Sequence, residues 1–100
     1  MKVTIAGVRM SYNTLTSLIG AIQERTRKWI EEADMRLLGR LNEKVVETHV
    51  RLELERALSL KAGREVRITR RAWNRWREIF APAWFVREII DIASFRLRIR

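Results

Sequence analysis

From Leu15 to Leu58 apolar residues recur at helical spacing almost without pause, and this restricts the chain to an architecture built on long helices. Leu15, Leu18, Ile19, Ile22, Thr26, Trp29, Ile30, Ala33 and Leu37 fall within one arc of roughly 120° on a helical wheel. Around Leu38-Gly39-Arg40 the pattern turns. Leu38, Leu41, Val45, Thr48 and Leu52 form a stripe rotated by roughly 80–100° from the first. The offset predicts a long helix with one inserted residue, a bend at Gly39, or a true break with Asn42 as a new N-cap. A further stripe, Val46, Val50, Leu54, Ala57 and Leu58, lies on another face of the same segment. A helix with two apolar faces is covered on both sides. In a chain of 100 residues the second cover is either its own C-terminal part or another subunit. On the second alternative, Val46, Val50, Leu54 and Leu58 are candidate interface residues. On the first, residues 13–38 and 42–62 form a hairpin covered by the rest.

The flanking segments read as shorter elements. Val3, Ile5 and Val8 alternate with polar neighbours as a half-buried strand does, with Gly7 at a bend or at the end. Ser11 or Asn13 then caps the long helix, on which Glu24–Lys28 and Glu32–Arg36 are favourable i,i+4 pairs. Ala62-Gly63 closes the second helical segment. Glu65–Thr69 reads as a strand with Val66 and Ile68 on one face. Thr69 can cap a helix over residues 70–80. Its wheel sets Ala72, Trp73, Trp76, Ile79 and Phe80 against Arg70, Arg71, Asn74, Arg75, Arg77 and Glu78. Pro82 interrupts, and residues 83–93 form a second short helix with Phe85, Val86, Ile89, Ile92 and Ala93 on one face. Trp84 falls among Arg87, Glu88 and Asp91, outside that face, and is a further candidate interface residue. Phe95, Leu97 and Ile99 alternate with Arg96, Arg98 and Arg100 as a terminal strand would. The expected fold is a single domain over residues 1–100, mainly α with a small three-stranded sheet (α+β). Its order is strand, long helix, strand, two short helices, terminal strand.

Charge and chemistry then narrow the function. Residues 1–63 carry eleven basic and eight acidic side chains, net +3; residues 64–100 carry ten and four, net +6, and all ten are Arg. Arg presents a planar donor fork suited to phosphate or carboxylate. The excess serves either a polyanionic partner or internal and intersubunit ion pairs. Arg67, Arg70, Arg71, Arg75, Arg77, Arg96, Arg98 and Arg100 are the candidate nucleic-acid contacts. No zinc-finger spacing or basic-zipper heptad run suggests base readout. The absence of Cys excludes disulfides and thiolate metal sites, and His49 is the only imidazole. His49 lies beside the Leu38–Leu52 stripe, where a half-buried structural role is expected. The four Gly are isolated, so no phosphate loop exists. No enzyme activity, cofactor, metal or small-molecule substrate is expected. Neither a signal peptide nor a membrane span is visible, so the expected setting is intracellular and soluble or part of a virion.

A short strand with a Gly, a long helix and a compact basic end together resemble the layout of small phage neck and tail-completion proteins. That resemblance implies a structural role and assigns no residue. The expected function is a non-enzymatic assembly subunit of a virion, neck, tail or other nucleoprotein-type complex. It would self-associate through the two-faced helix and present an Arg face to nucleic acid. The alternative is a small basic DNA- or RNA-binding protein acting through phosphate contacts.

Overall fold

In the computed structural model, which describes residues 1–99, the chain begins with a hairpin: β1 (Lys2–Ile5) pairs antiparallel with β2 (Val8–Ser11). Val3 lies opposite Met10 and Ile5 opposite Val8. The connection is Ala6-Gly7, with φ of 50° and 79°. Positive φ at both central residues lets a two-residue loop follow the strand twist. Gly7 adopts it freely, whereas Ala6 bears the steric cost of the left-handed region. The single N-terminal strand expected from alternation is therefore two strands folded on each other. Ile5, Val8 and Met10 are buried.

Ser11 accepts the Thr14 N–H at 3.1 Å and starts α1 (Tyr12–Glu31). This helix buries Leu15, Ile22, Thr26 and Ile30; the Thr26 hydroxyl is satisfied by donating to the Ile22 carbonyl at 2.9 Å. The helix stops well short of Gly39. Asp34 accepts the Leu37 N–H at 2.9 Å and opens α2 (Met35–Arg40), which contains Gly39. Asn42 accepts the Val45 N–H at 3.0 Å and opens α3 (Glu43–Ala62). The expected long helix is thus broken twice, each time just before a short side chain that captures the next helix's orphan amide. Neither Glu24–Lys28 nor Glu32–Arg36 forms an ion pair among the described residues. Glu32 caps the end of α1, so the second pair straddles the first break.

Gly63 terminates α3 in the left-handed conformation, its N–H donating to the Ser59 carbonyl at 3.0 Å. Helices α1 and α3 run antiparallel, joined by Arg25–Glu53 at 3.6 Å and by Trp29 stacked on His49 with centroids 3.9 Å apart. Val46, Val50, Leu54 and Leu58 are 0% exposed, so these four candidate interface residues lie in the protomer's own core. The face of α3 that points outward carries Leu52, which is 53% exposed.

Residues 65–69 are extended but pair with no strand. Val66 and Ile68 are buried as their alternation requires, yet the Val66 N–H donates to Ser59 Oγ at 2.8 Å instead of joining a ladder. Thr69 accepts the Ala72 N–H at 3.1 Å and starts α4 (Arg70–Phe80). After Pro82, α5 (Ala83–Arg98) continues into the segment expected to be a terminal strand, with Ile99 as its C-cap. There Leu97 is half-buried while Phe95 and Ile99 are exposed, an arrangement that follows the helical stripe of Phe85, Val86, Ile89 and Ala93. Arg27 clamps α5 to α1 through both Glu88 carboxylate oxygens at 3.0 Å. Arg96 donates to the Ile30 carbonyl at the end of α1. The chain is accordingly mainly α with a small β-sheet, but the sheet has two strands and not three. No helix among the described residues is long and apolar enough to cross a membrane.

The orientation of α3 is testable with neighbouring leucines. Leu54→Ala should cost about 2–5 kcal/mol in urea unfolding, and Leu52→Ala about 0.5 kcal/mol. Similar losses at both sites would show that the helix is turned otherwise.

Candidate interaction surface

The apolar stripe of α3 that the core leaves over faces outward. Val45 and His49 are half-buried, Leu52 is 53% exposed and Leu60, two turns further on, is 77% exposed. Trp29 extends this surface from α1, its ring parallel to His49 within 2°. Between them lies a shallow depression of about 360 Å³ lined by Trp29, Lys44, Val45, Thr48, His49 and Leu52. Only Lys44 carries a full charge there. His49 Nε2 is buried without a hydrogen-bond partner, and so is Oε2 of Glu53, one turn along, apart from its loose ion pair with Arg25. Burial pushes the His49 pKa below its ordinary value of 6.5, and the Glu53 carboxylate pulls in the opposite direction. A neutral ring stacked on indole suits an apolar contact better than proton transfer.

The Arg residues singled out by sequence divide into groups. Arg70, Arg71 and Arg75 are exposed on α4 and form no ion pair among the described residues. Arg67 is bridged to Glu65 at 3.0 Å, both side chains well exposed. Arg77 lies 3.8 Å from Glu78 and reaches across to Glu47 on α3 at 4.0 Å. Arg96 is half-buried and committed to the Ile30 carbonyl, so its role is structural. Arg98 is exposed near the end of α5, and Arg100 lies outside the described residues. Arg96 and Arg98, expected on one face of a strand, fall on opposite sides of a helix.

Trp84 is 60% exposed and meets Phe85 edge to face, with ring centroids 5.9 Å apart. Its neighbour on the surface is Phe95, 57% exposed, and the two flank a shallow depression with Arg87, Glu88, Asp91 and Ile92. Sequence reasoning missed Phe95 because it placed that residue on the apolar side of a strand. Continuing the Ala83–Ala93 wheel for one more turn puts Phe95 three turns from Trp84 on the same side. Ile79, placed inward by the α4 wheel, is 38% exposed, while Trp73 is buried and Trp76 half-buried.

No group of three or more His, Asp or Glu that could hold a metal stands together among the described residues. Comparison with known proteins gives no match to a protein-family model, a curated protein or a solved structure.

The depressed His49 pKa has a definite sign in stability. The unfolded chain protonates His49 at higher pH than the folded one, so its contribution is complete above 6.5 and declines as pH falls from 6.5 toward the folded value. The urea midpoint should therefore drop on acidification through this window by more in the parent protein than in His49→Gln; equal drops would contradict the burial argument. Trp84→Ala should shift stability by about 0.5 kcal/mol, whereas Trp73→Ala should cost about 3–5 kcal/mol, both read by chemical unfolding.

Proposed function

We propose that the chain is a non-enzymatic assembly subunit that self-associates through the outer face of α3. The observation that carries this reading is the second apolar face of that helix, which the protomer leaves open although its first face is fully consumed in the core. A knob and a hole lie side by side on it: Leu52 projects at the rim of the depression floored by Trp29 and His49. Such a patch is self-complementary, because a two-fold operation brings the knob of each copy to the hole of the other. Low charge supports the same occupant. The chain carries +9 overall, so copies repel one another except where a face is nearly neutral, and among the lining residues only Lys44 is charged.

The partner in this reading is a second copy, and the setting is a larger complex such as a virion, neck or tail. The interface moves from Val46, Val50, Leu54 and Leu58 to Trp29, Val45, His49 and Leu52, with Leu60 and Trp84 as further exposed apolar anchors. Static light scattering over a range of concentrations should give a mass above 11.9 kDa that rises with concentration. Leu52→Asp should return the protein to a monomer with unchanged circular dichroism. A parent protein that stays monomeric at the highest concentration would overturn the proposal.

A further inference from the structure

We propose that Arg70, Arg71 and Arg75 form a phosphate-contacting patch for duplex nucleic acid. The patch goes beyond the self-association reading and shares no residue with the outer face of α3. Among the described residues Arg25, Arg27, Arg51, Arg67 and Arg77 each have a carboxylate partner, and Arg96 has a carbonyl. Arg70, Arg71 and Arg75 have none, although the chain has twelve acids. Internal salt bridging therefore explains only part of the Arg excess: among the described residues it leaves Arg9, Arg36, Arg40, Arg56, Arg64, Arg87 and Arg98 over as well, and α4 is the element that carries three such residues.

The cluster is also locally unfavourable. Arg70 and Arg71 occupy the first turn of α4, which has no acidic residue, so they oppose the helix dipole. Arg71 and Arg75 are an i,i+4 like-charge pair, which weakens a helix further. Arg71 and Arg75 lie one turn apart, with Arg70 at the rim toward α3, on a helix whose opposite side is anchored by Trp73 and Phe80, and exposed guanidiniums so carried are suited to an external polyanion.

Duplex is favoured over single strands because no exposed aromatic accompanies the cluster. Trp73 and Trp76 face inward, and the exposed Trp84 and Phe95 belong to α5. Bases would have no platform to stack on, whereas phosphates need only cations. The groove between α3 and α4 is a poorer site, since Glu43 and Glu47 line it beside Arg70 and Arg77.

The test is fluorescence anisotropy of a labelled mixed-sequence duplex DNA, titrated to about 10⁻⁴ M protein, the weak end of non-specific affinity. Three phosphate contacts predict a loss of about forty-fold in affinity between 50 and 200 mM salt, from a slope of about −0.9 per phosphate. In Arg71→Ala/Arg75→Ala the same change should be only about three- to four-fold. Arg40→Ala, an exposed Arg on α2, should leave the slope as in the parent, and circular dichroism checks that each variant is folded. Absence of binding at 50 mM salt would overturn the proposal, and so would a double variant with the parental slope. Polyglutamate competing as well as unlabelled duplex would also overturn it, by assigning the patch to an acidic protein. Oligomeric mass, which reads the outer face of α3, is measured separately and can fail without affecting this result.

Discussion

The structure depends on the burial of one row of side chains, Val46, Val50, Leu54 and Leu58, along the inner face of α3. Each fully buried aliphatic side chain is stabilised by roughly 1.5–3 kcal/mol over an exposed one, and this row is contacted by elements from both halves of the chain. Helix α1 lies antiparallel on one side, and α4 and α5 reach it from others. The extended segment 65–69 runs back along α3 and adds Val66 and Ile68 to the same core. With that face committed inward, the geometry of an α-helix sends Val45, Leu52 and Leu60 outward. The exposed apolar surface is therefore a consequence of how the core is filled.

Much of the local structure was legible in the residues. Thr69, Asn42 and Gly63 behave as caps because their chemistry suits the orphan amides and carbonyls of helix ends. The inward Trp73 and outward Arg70, Arg71 and Arg75 follow from a strong wheel on a short helix. The mainly α fold with a small sheet followed from the same periodicities. What failed were short segments in which two periods fit equally well. Val66 and Ile68 alternate in burial as strand residues do, but with no neighbouring strand their backbone is served by Ser59. Residues 94–100 alternate too, yet tertiary contact with α1 carries α5 on to Arg98, Arg96 turning to the Ile30 carbonyl. The break at Asp34 was missed because Ala33 and Leu37 keep the stripe in register across it.

The candidate surfaces were legible only in part, for a physical reason. A sequence shows that α3 has two apolar faces, but which one the protomer consumes depends on the packing of distant elements. Here the face assigned to a partner is the one the core uses. For the Arg cluster, charge alone could not separate internal pairing from an external polyanion. Geometry divides them: Arg77 meets Glu47, Arg27 meets Glu88, and three residues of α4 remain unpaired among the described residues.

The central claim is that α3 has one face sealed within the protomer and the other sealed by a second copy. Because the chain contains no Cys, single substitutions give clean probes. Thiol labelling of Leu52→Cys and Val50→Cys should be followed across protein concentrations. Leu52→Cys should react rapidly when dilute and become protected as concentration rises, while Val50→Cys should resist labelling throughout. A rate at Leu52→Cys that is independent of concentration, or rapid labelling of Val50→Cys, would contradict it.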